Sequence, residues 1–397
     1  MKKVFALLMA ALLAVSILGC SDWEEPGKVF YLNCEPEANE TWQKLATTYS
    51  DIYGVEVTVR TVSTEDCASA VRTALSWEEA PTAFQFRCAE DLERLKGNCL
   101  DFTGSAVLGQ MITGSFNLTD GGAVKAICYS YDAFGLMVNT ELLTSAGYDL
   151  ADITDYFSLK AVVEDIHSRR DELGFDAFAA FAEDGSTAWQ LAEMAQFYQG
   201  RDEDGTSLFR QVLDLYTQNS SRKMPRTLSD VGMRQFADGT AVFCQHSAAV
   251  YQTLLAEPYN MNSDTLAMVP VYCGAENEAN AALCCAPRSY WAVNSQASAA
   301  DRKATLDFLN WVVTSEYGIS ILKEKFGGVP FKNNASKNGF YGTANTLLAQ
   351  GKYPIIVLDQ DDESRQAAIA AAVTEYTANQ TDENWQKIRD AFDAERT

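Results

Sequence analysis

A chain of 397 residues with 47% apolar content is globular and too long for one ordinary core, so two α/β domains are expected. Its formal charge of -23 speaks against nucleic acid and against anionic headgroups as docking surfaces, because phosphates are gripped by Lys and Arg. His167 and His246 are the only histidines and no C-x-x-C occurs, so neither a metal site nor a cofactor is expected.

Lys2 and Lys3 precede an almost wholly apolar run over residues 4–18, short for a membrane span and suited to a secretory signal. Gly19 directly before Cys20, after Ser16-Ile17-Leu18, resembles the lipobox of bacterial lipoproteins. That resemblance implies a signal peptide over residues 1–19 and lipidation of Cys20 as the first mature residue. Two or more buried acyl chains anchor a protein without a transmembrane helix. Residues 20–28 then form the lipidated end and a polar tether of at most about 25 Å. The mature protein is expected outside the cytoplasm, anchored to the cell membrane through lipid alone. Nine cysteines remain after Cys20, an odd number that cannot all pair internally. Cys128 and Cys244 lie in apolar strand-like runs, and Cys284 with Cys285 reads as a packing pair rather than a vicinal disulfide. Many unpaired thiols point to a poorly oxidising habitat.

Val29 to Leu32 reads as a strand, and Trp42, Leu45, Ala46 and Tyr49 follow at helical spacing until Gly54. Val55, Val57 and Val59 alternate as a second strand. The loop Asn33 to Glu37 therefore belongs at the carboxyl edge of a sheet, where α/β ligands bind. A helix from near Thr64 past Leu75 ends at Pro81, and Ala83 to Phe86 is the next strand. Residues 97–122 read as loop-rich. Ala123 to Tyr129 and Phe134 to Val138 read as two strands separated by Ser130-Tyr131-Asp132, leaving one domain and entering another. Leu159, Val162, Val163 and Ile166 mark a helix ended by Gly174, on which His167 is expected to be exposed. Leu208, Val212 and Leu215 mark another helix, while Ala241 to Cys244 and Leu266 to Tyr272 read as strands. Arg288 to Asn294 looks like a return crossing. Ser298 opens a helix with Leu306, Leu309, Val312 and Val313 on its apolar face, and the chain beyond Phe331 is largely helical.

The order of these segments resembles the family 1 extracellular solute-binding proteins, the carbohydrate-binding lipoproteins of ABC importers, which are maltose-binding-protein-like in fold. The likeness rests on Tyr31-Leu32-Asn33 with Pro36-Glu37, Ala80 to Gln85, Phe134 to Asn139, Phe236 to Phe243, Tyr290 to Asn294, Thr305 to Val312 and Val329-Pro330-Phe331. It implies a type II two-lobed α/β fold with a hinge of several chain crossings. One lobe would comprise residues 29–131 and 291–330, the other 132–290 and 331–397. The expected ligand is a sugar or oligosaccharide enclosed by hinge closure, and the expected partner is an ABC permease that recognises the closed form of a monomer. Not an enzyme but a binder is implied.

Such a cleft needs aromatic faces for pyranose C–H groups, with carboxylates, amides or arginine for hydroxyls. Trp291, with Tyr290 in the family's Tyr-Trp motif, is a candidate platform or a hinge packing residue. Trp189 follows a polar, glycine-containing approach and matches a family tryptophan of the second lobe. Glu35 is placed to accept from hydroxyls or to favour the start of the following helix. Arg87 follows a strand and is suited to a ligand or to a surface ion pair. Tyr131 and Asp132 lie at the first crossing, where Asp132 also suits a turn cap. Gln245 and His246 end a strand beyond which relatives often present a tryptophan; here Ser247, Ala248 and Ala249 stand there. The rival readings are an anchored hydrolase, whose paired carboxylates counting does not exclude, an adhesin or sensor lipoprotein, and a binder of another small solute.

Overall fold

The computed structural model describes residues 26–62, 67–179, 207–220, 231–274, 283–333, 339–351 and 363–393. Cys20 and Trp189 lie outside them. β1 (Val29–Asn33), α1 (Asn39–Tyr53) and β2 (Val57–Thr61) form the first unit, with β1 and β2 parallel from Val29↔Val57 to Asn33↔Thr61. The helix buries Trp42, Leu45, Ala46 and Tyr49, the stripe that its spacing predicts, and stops at Gly54 in the left-handed region. α2 (Cys67–Ala74) leads to β3 (Ala83–Phe86), which pairs parallel with β1, and α3 (Ala89–Leu95) follows.

After β4 (Leu118–Asp120), β5 runs unbroken from Ala123 to Asn139. Two strands separated at residues 130–132 were expected. The turn-forming residues stay extended because β9 (Cys284–Val293) lies antiparallel beside them from Ile127↔Trp291 to Phe134↔Cys284 and takes up the backbone groups that a turn would have used. The sheet order is β2-β1-β3-β9-β5-β7-β6, with β4 and β8 also on β5; β6 is Asp176–Phe178, β7 Ala241–Ser247 and β8 Leu266–Val269. The long strands β5 and β9 thus belong to both lobes of the two-lobed α/β fold. The amino-terminal half of β5 joins the sheet of β1 to β3, and its carboxyl-terminal half pairs β7 and β8.

α4 (Thr140–Ser145) and α5 (Tyr156–Ser168) follow, the latter capped by Asp155, whose side chain accepts from Ser158 N while Ser158 answers at the cap. α6 (Ser207–Gln218), α7 (Val231–Ala237), α8 (Ala299–Thr314), α9 (Glu316–Phe326), α10 (Gly339–Ala349), α11 (Glu363–Ala378) and α12 (Asp382–Asp393) complete the helices used below. Along the second half of β5 the faces alternate. Phe134, Leu136 and Val138 join a core with α5, α6, α11 and α12, whereas Ala133 and Met137 join a second core that runs through the crossing into the first lobe.

Two expectations change, and one cysteine pairing that the odd count left open is settled. His167 is only 25% exposed in its side chain, and its Nδ1 lies 2.7 Å from Asp176 Oδ1 on β6, because the helix end packs on the strand edge. Cys34 and Cys67 form a disulfide whose Cα atoms lie 5.7 Å apart; the seven other described cysteines are free, and all but Cys88 are buried. The Leu266 run is a strand only to Val269. Cys284 and Cys285 are packing residues of β9, as their apolar setting implies. Among the described residues no helix is long and apolar enough to cross a membrane.

Candidate functional site

The loop after β1 is pinned on three sides. Asn33 Nδ2 donates to the Glu35 carbonyl at 2.7 Å and to Thr61 Oγ1 at 3.0 Å; Cys34 N donates to Gln85 Oε1 at 2.8 Å; and the disulfide ties Cys34 to the start of α2. Glu35 is thereby held at the carboxyl edge of the first sheet, where its Oε1 accepts from Ser289 Oγ on β9 at 2.5 Å. Burial raises the Glu35 carboxyl above its ordinary value, and the Ser289 hydrogen bond works against that rise.

At the same place the β5/β9 ladder shifts twice. Cys128 pairs with Tyr290, Ser130 with Ser289 and Tyr131 with Pro287, which leaves Tyr129 and Arg288 outside the pairing before the original register resumes. Such irregularities re-aim side chains and recur beside functional sites, and a proline that lacks an N–H fits one. Arg288 Nη1 donates to Asp132 Oδ2 at 2.5 Å, and Tyr341 OH on α10 lies 3.3 Å from Asp132 Oδ1. Tyr131 OH donates to Asn345 Oδ1 at 2.8 Å, and Tyr131 N donates to the Gly328 carbonyl at 3.0 Å.

The Arg288 side chain is 47% exposed, yet burial is the largest influence on its charge, offset by Asp132 and, from further off, by Glu35. Water thus reaches a guanidinium that the surrounding protein partly desolvates. Glu35, partly exposed and desolvated, has the same signature. So does the exposed Cys88, whose thiol burial pushes up to about 11. A separate cavity, lined by Lys28, Glu79, Thr82, Asn294 and Asp301, opens at the opposite edge of the first sheet. Its charges are already engaged, Lys28 Nζ with Glu79 at 3.0 Å and Lys28 N with Asp301 at 2.8 Å.

Of the residues singled out from the sequence, Glu35 and Asp132 meet here through Ser289 and Arg288. Arg87 is exposed at the end of β3, its backbone N donating to Asp91 at 2.8 Å, and its charge reaches Glu35. Tyr131 and Tyr290 are buried in the crossing. Trp291 is 0% exposed, stacked on Tyr129 at 4.6 Å, near Trp42 and Phe331. Its ring therefore packs the core of the crossing, because this stretch of β9 is covered on both faces and Trp42, Tyr129 and Phe331 enclose the indole. Gln245 and His246 stand on β7 opposite Leu136 and Gly135, a few residues along β5 from Asp132. His246 Nδ1 accepts from Ser247 N at 2.9 Å. Gln245 is 6% exposed, and neither of its amide atoms meets a hydrogen-bond partner among the described residues. Trp189 lies outside those residues. Arg288, Ser289, Tyr341 and Gln85 are the contributors that sequence reasoning missed. The available signal was a charged residue directly after Pro287 in an otherwise uncharged strand.

A carboxylate and a guanidinium that water reaches, each held by a buried polar partner, are groups that hydrogen-bond a small polar solute. A family model described as bacterial extracellular solute-binding protein matches residues 44–341. A search of curated protein sequences found no match. Among solved structures, a family 1 extracellular solute-binding protein from Alicyclobacillus acidocaldarius is similar at TM-score 0.67 and 14% identity, over 93% of this chain and 99% of that one. The cyclic alpha-maltosyl-1,6-maltose binding protein from Arthrobacter globiformis gives TM-score 0.61 and 15% identity over 93% and 98%. The GacH receptor of Streptomyces glaucescens, solved unliganded and with acarbose, gives 0.57 and 17% over 93% and 98%. At these identities the likeness is one of fold.

Proposed function

The chain belongs to the bacterial extracellular solute-binding proteins, and on that premise we propose that it is the substrate-binding lipoprotein of an ABC importer. It captures a sugar or oligosaccharide between its lobes and delivers it to a membrane permease. The observation that carries this reading is the polar group where β5 and β9 cross, with Glu35 held by Ser289 and Arg288 held by Asp132, both partly open to water. Structural neighbours that bind acarbose or a cyclic maltosyl saccharide support a carbohydrate as the solute.

In this reading residues 29–131 with 291–330 form one lobe and 132–290 with 331–397 the other. Glu35, Arg87, Asp132, Gln245 and His246 take ligand hydroxyls, Trp189 supplies an aromatic face, and Tyr131, Tyr290 and Trp291 back the site. Closure places one ligand between both lobes, so its differential affinity shifts the open and closed populations. Cys20 carries the lipid that keeps the protein near its permease.

Calorimetry on the chain from Ser21 onward with mono- and oligosaccharides tests the capture. Saturable binding is expected, and no thermal stabilisation across sugars, amino acids and polyamines would sink the reading. For the anchor, Cys20→Ser should move the protein from the membrane fraction to the soluble one. Continued membrane association would refute lipidation.

A further inference from the structure

Arg288 is read from the sequence only as the start of a return crossing, yet four observations converge on it. It stands at a register shift of the long crossing strands, directly after Pro287, where the ladder no longer dictates which way its side chain points. Its guanidinium is anchored by Nη1 on the buried Asp132, which Tyr341 supports from the other side. Half of its side chain remains open to water. Glu35, fixed by its own loop and by Ser289, is near enough for its charge to act on the guanidinium. An arginine serving only as a structural counter-ion has no need of an irregular strand that leaves it facing solvent. One held at a single nitrogen keeps its other N–H donors in fixed directions.

We propose that Arg288 is a ligand-binding, specificity-determining residue whose free N–H donors grip ligand oxygens beside the acceptor Glu35, so that the cleft selects neutral saccharides with adjacent hydroxyl groups over carboxylated ones. This rests on the solute-binding reading given above. The selectivity follows from charge. Arg87 and Arg288 stand against Glu35, Asp132 and Glu37, two cations against three carboxylates, and Asp132 already occupies one edge of Arg288. A neutral ligand adds no charge to that cluster, whereas a uronate would add another carboxylate beside Glu35 on a protein whose formal charge is -23.

The test is calorimetry on the chain from Ser21 onward with maltotriose, raffinose and chitotriose, and with trigalacturonate as the acidic probe. The parent is expected to bind at least one neutral trisaccharide and to bind trigalacturonate more weakly. Arg288→Lys, which keeps a cation beside Asp132, should lose about tenfold or more in affinity with its melting temperature little changed. In the parent chain, the bound saccharide should also protect Arg288 from phenylglyoxal labelling, read by peptide mass; this measurement needs no variant to fold. Parent-like affinity in Arg288→Lys, undiminished labelling, or tighter binding of trigalacturonate overturns the proposal and leaves the solute-binding reading standing. If the parent binds none of the neutral probes, this proposal falls, and the solute-binding reading falls with it only when the wider screen of sugars, amino acids and polyamines is also flat.

Discussion

At Glu35, burial pulls the carboxyl upward while Ser289 stabilises its ionised form, and burial wins. The folded chain therefore holds this proton at pH values where the unfolded chain, near the ordinary 4.5, has released it. Its contribution to stability is greatest below 4.5 and is lost as pH rises through the raised value. Melting temperatures measured from pH 4 to 7 should show this decline flattened in Glu35→Gln; an unchanged profile would mean that the carboxyl is not desolvated. Beside it, Cys34→Ser should cost roughly 2–4 kcal/mol in urea denaturation, as expected for a cross-link between residues 33 apart in sequence. The place of Glu35 at the carboxyl edge was legible because a strand-to-helix loop puts it there. Arg288 was not, since its role depends on Asp132, which is 156 residues away.

Elements were read from the sequence best where their signals are local. α1 begins and ends where its apolar spacing and Gly54 put it, and α8 opens at Ser298, whose side chain accepts from Asp301 N at 3.0 Å. β5 was misread because Ser130-Tyr131-Asp132 carries turn chemistry that β9 overrides. The Gly327-Gly328 segment after α9 shows a similar long-range demand. A Cβ on Gly328 would fall 2.1 Å from the Tyr131 carbonyl oxygen and 2.6 Å from the Tyr341 ring. Gly328→Ala should therefore cost about 1–3 kcal/mol and weaken ligand binding by displacing the strand that carries Asp132. Gly97→Ala, with open space around the new methyl group, is the matched control. Equal stability of the two variants would refute this account of the hinge. In the core, Trp42→Ala removes a fully buried ring that touches Tyr31, Tyr129 and Trp291, and chemical denaturation should show a loss of about 3–5 kcal/mol.

For the whole molecule, the proposed capture between two lobes joined by continuous strands predicts closure on binding. A saturating saccharide at a hundredfold excess over Kd should stabilise the chain by about 2.7 kcal/mol and reduce the radius of gyration seen by X-ray scattering. Stabilisation without compaction would argue that the ligand binds one lobe only. The sequence by itself determined the alternation of strands and helices, the two-lobed class and the edge at which Glu35 lies, because periodicity, caps and breakers act over a few residues. Only the tertiary structure decided that β5 is one strand, that Cys34 pairs with Cys67, that Trp291 faces inward, and that Arg288 rests on Asp132 with half of its side chain open to water. Each of these depends on groups far apart in the chain, whose meeting is set by how the strands cross and pack, and no local pattern encodes that crossing.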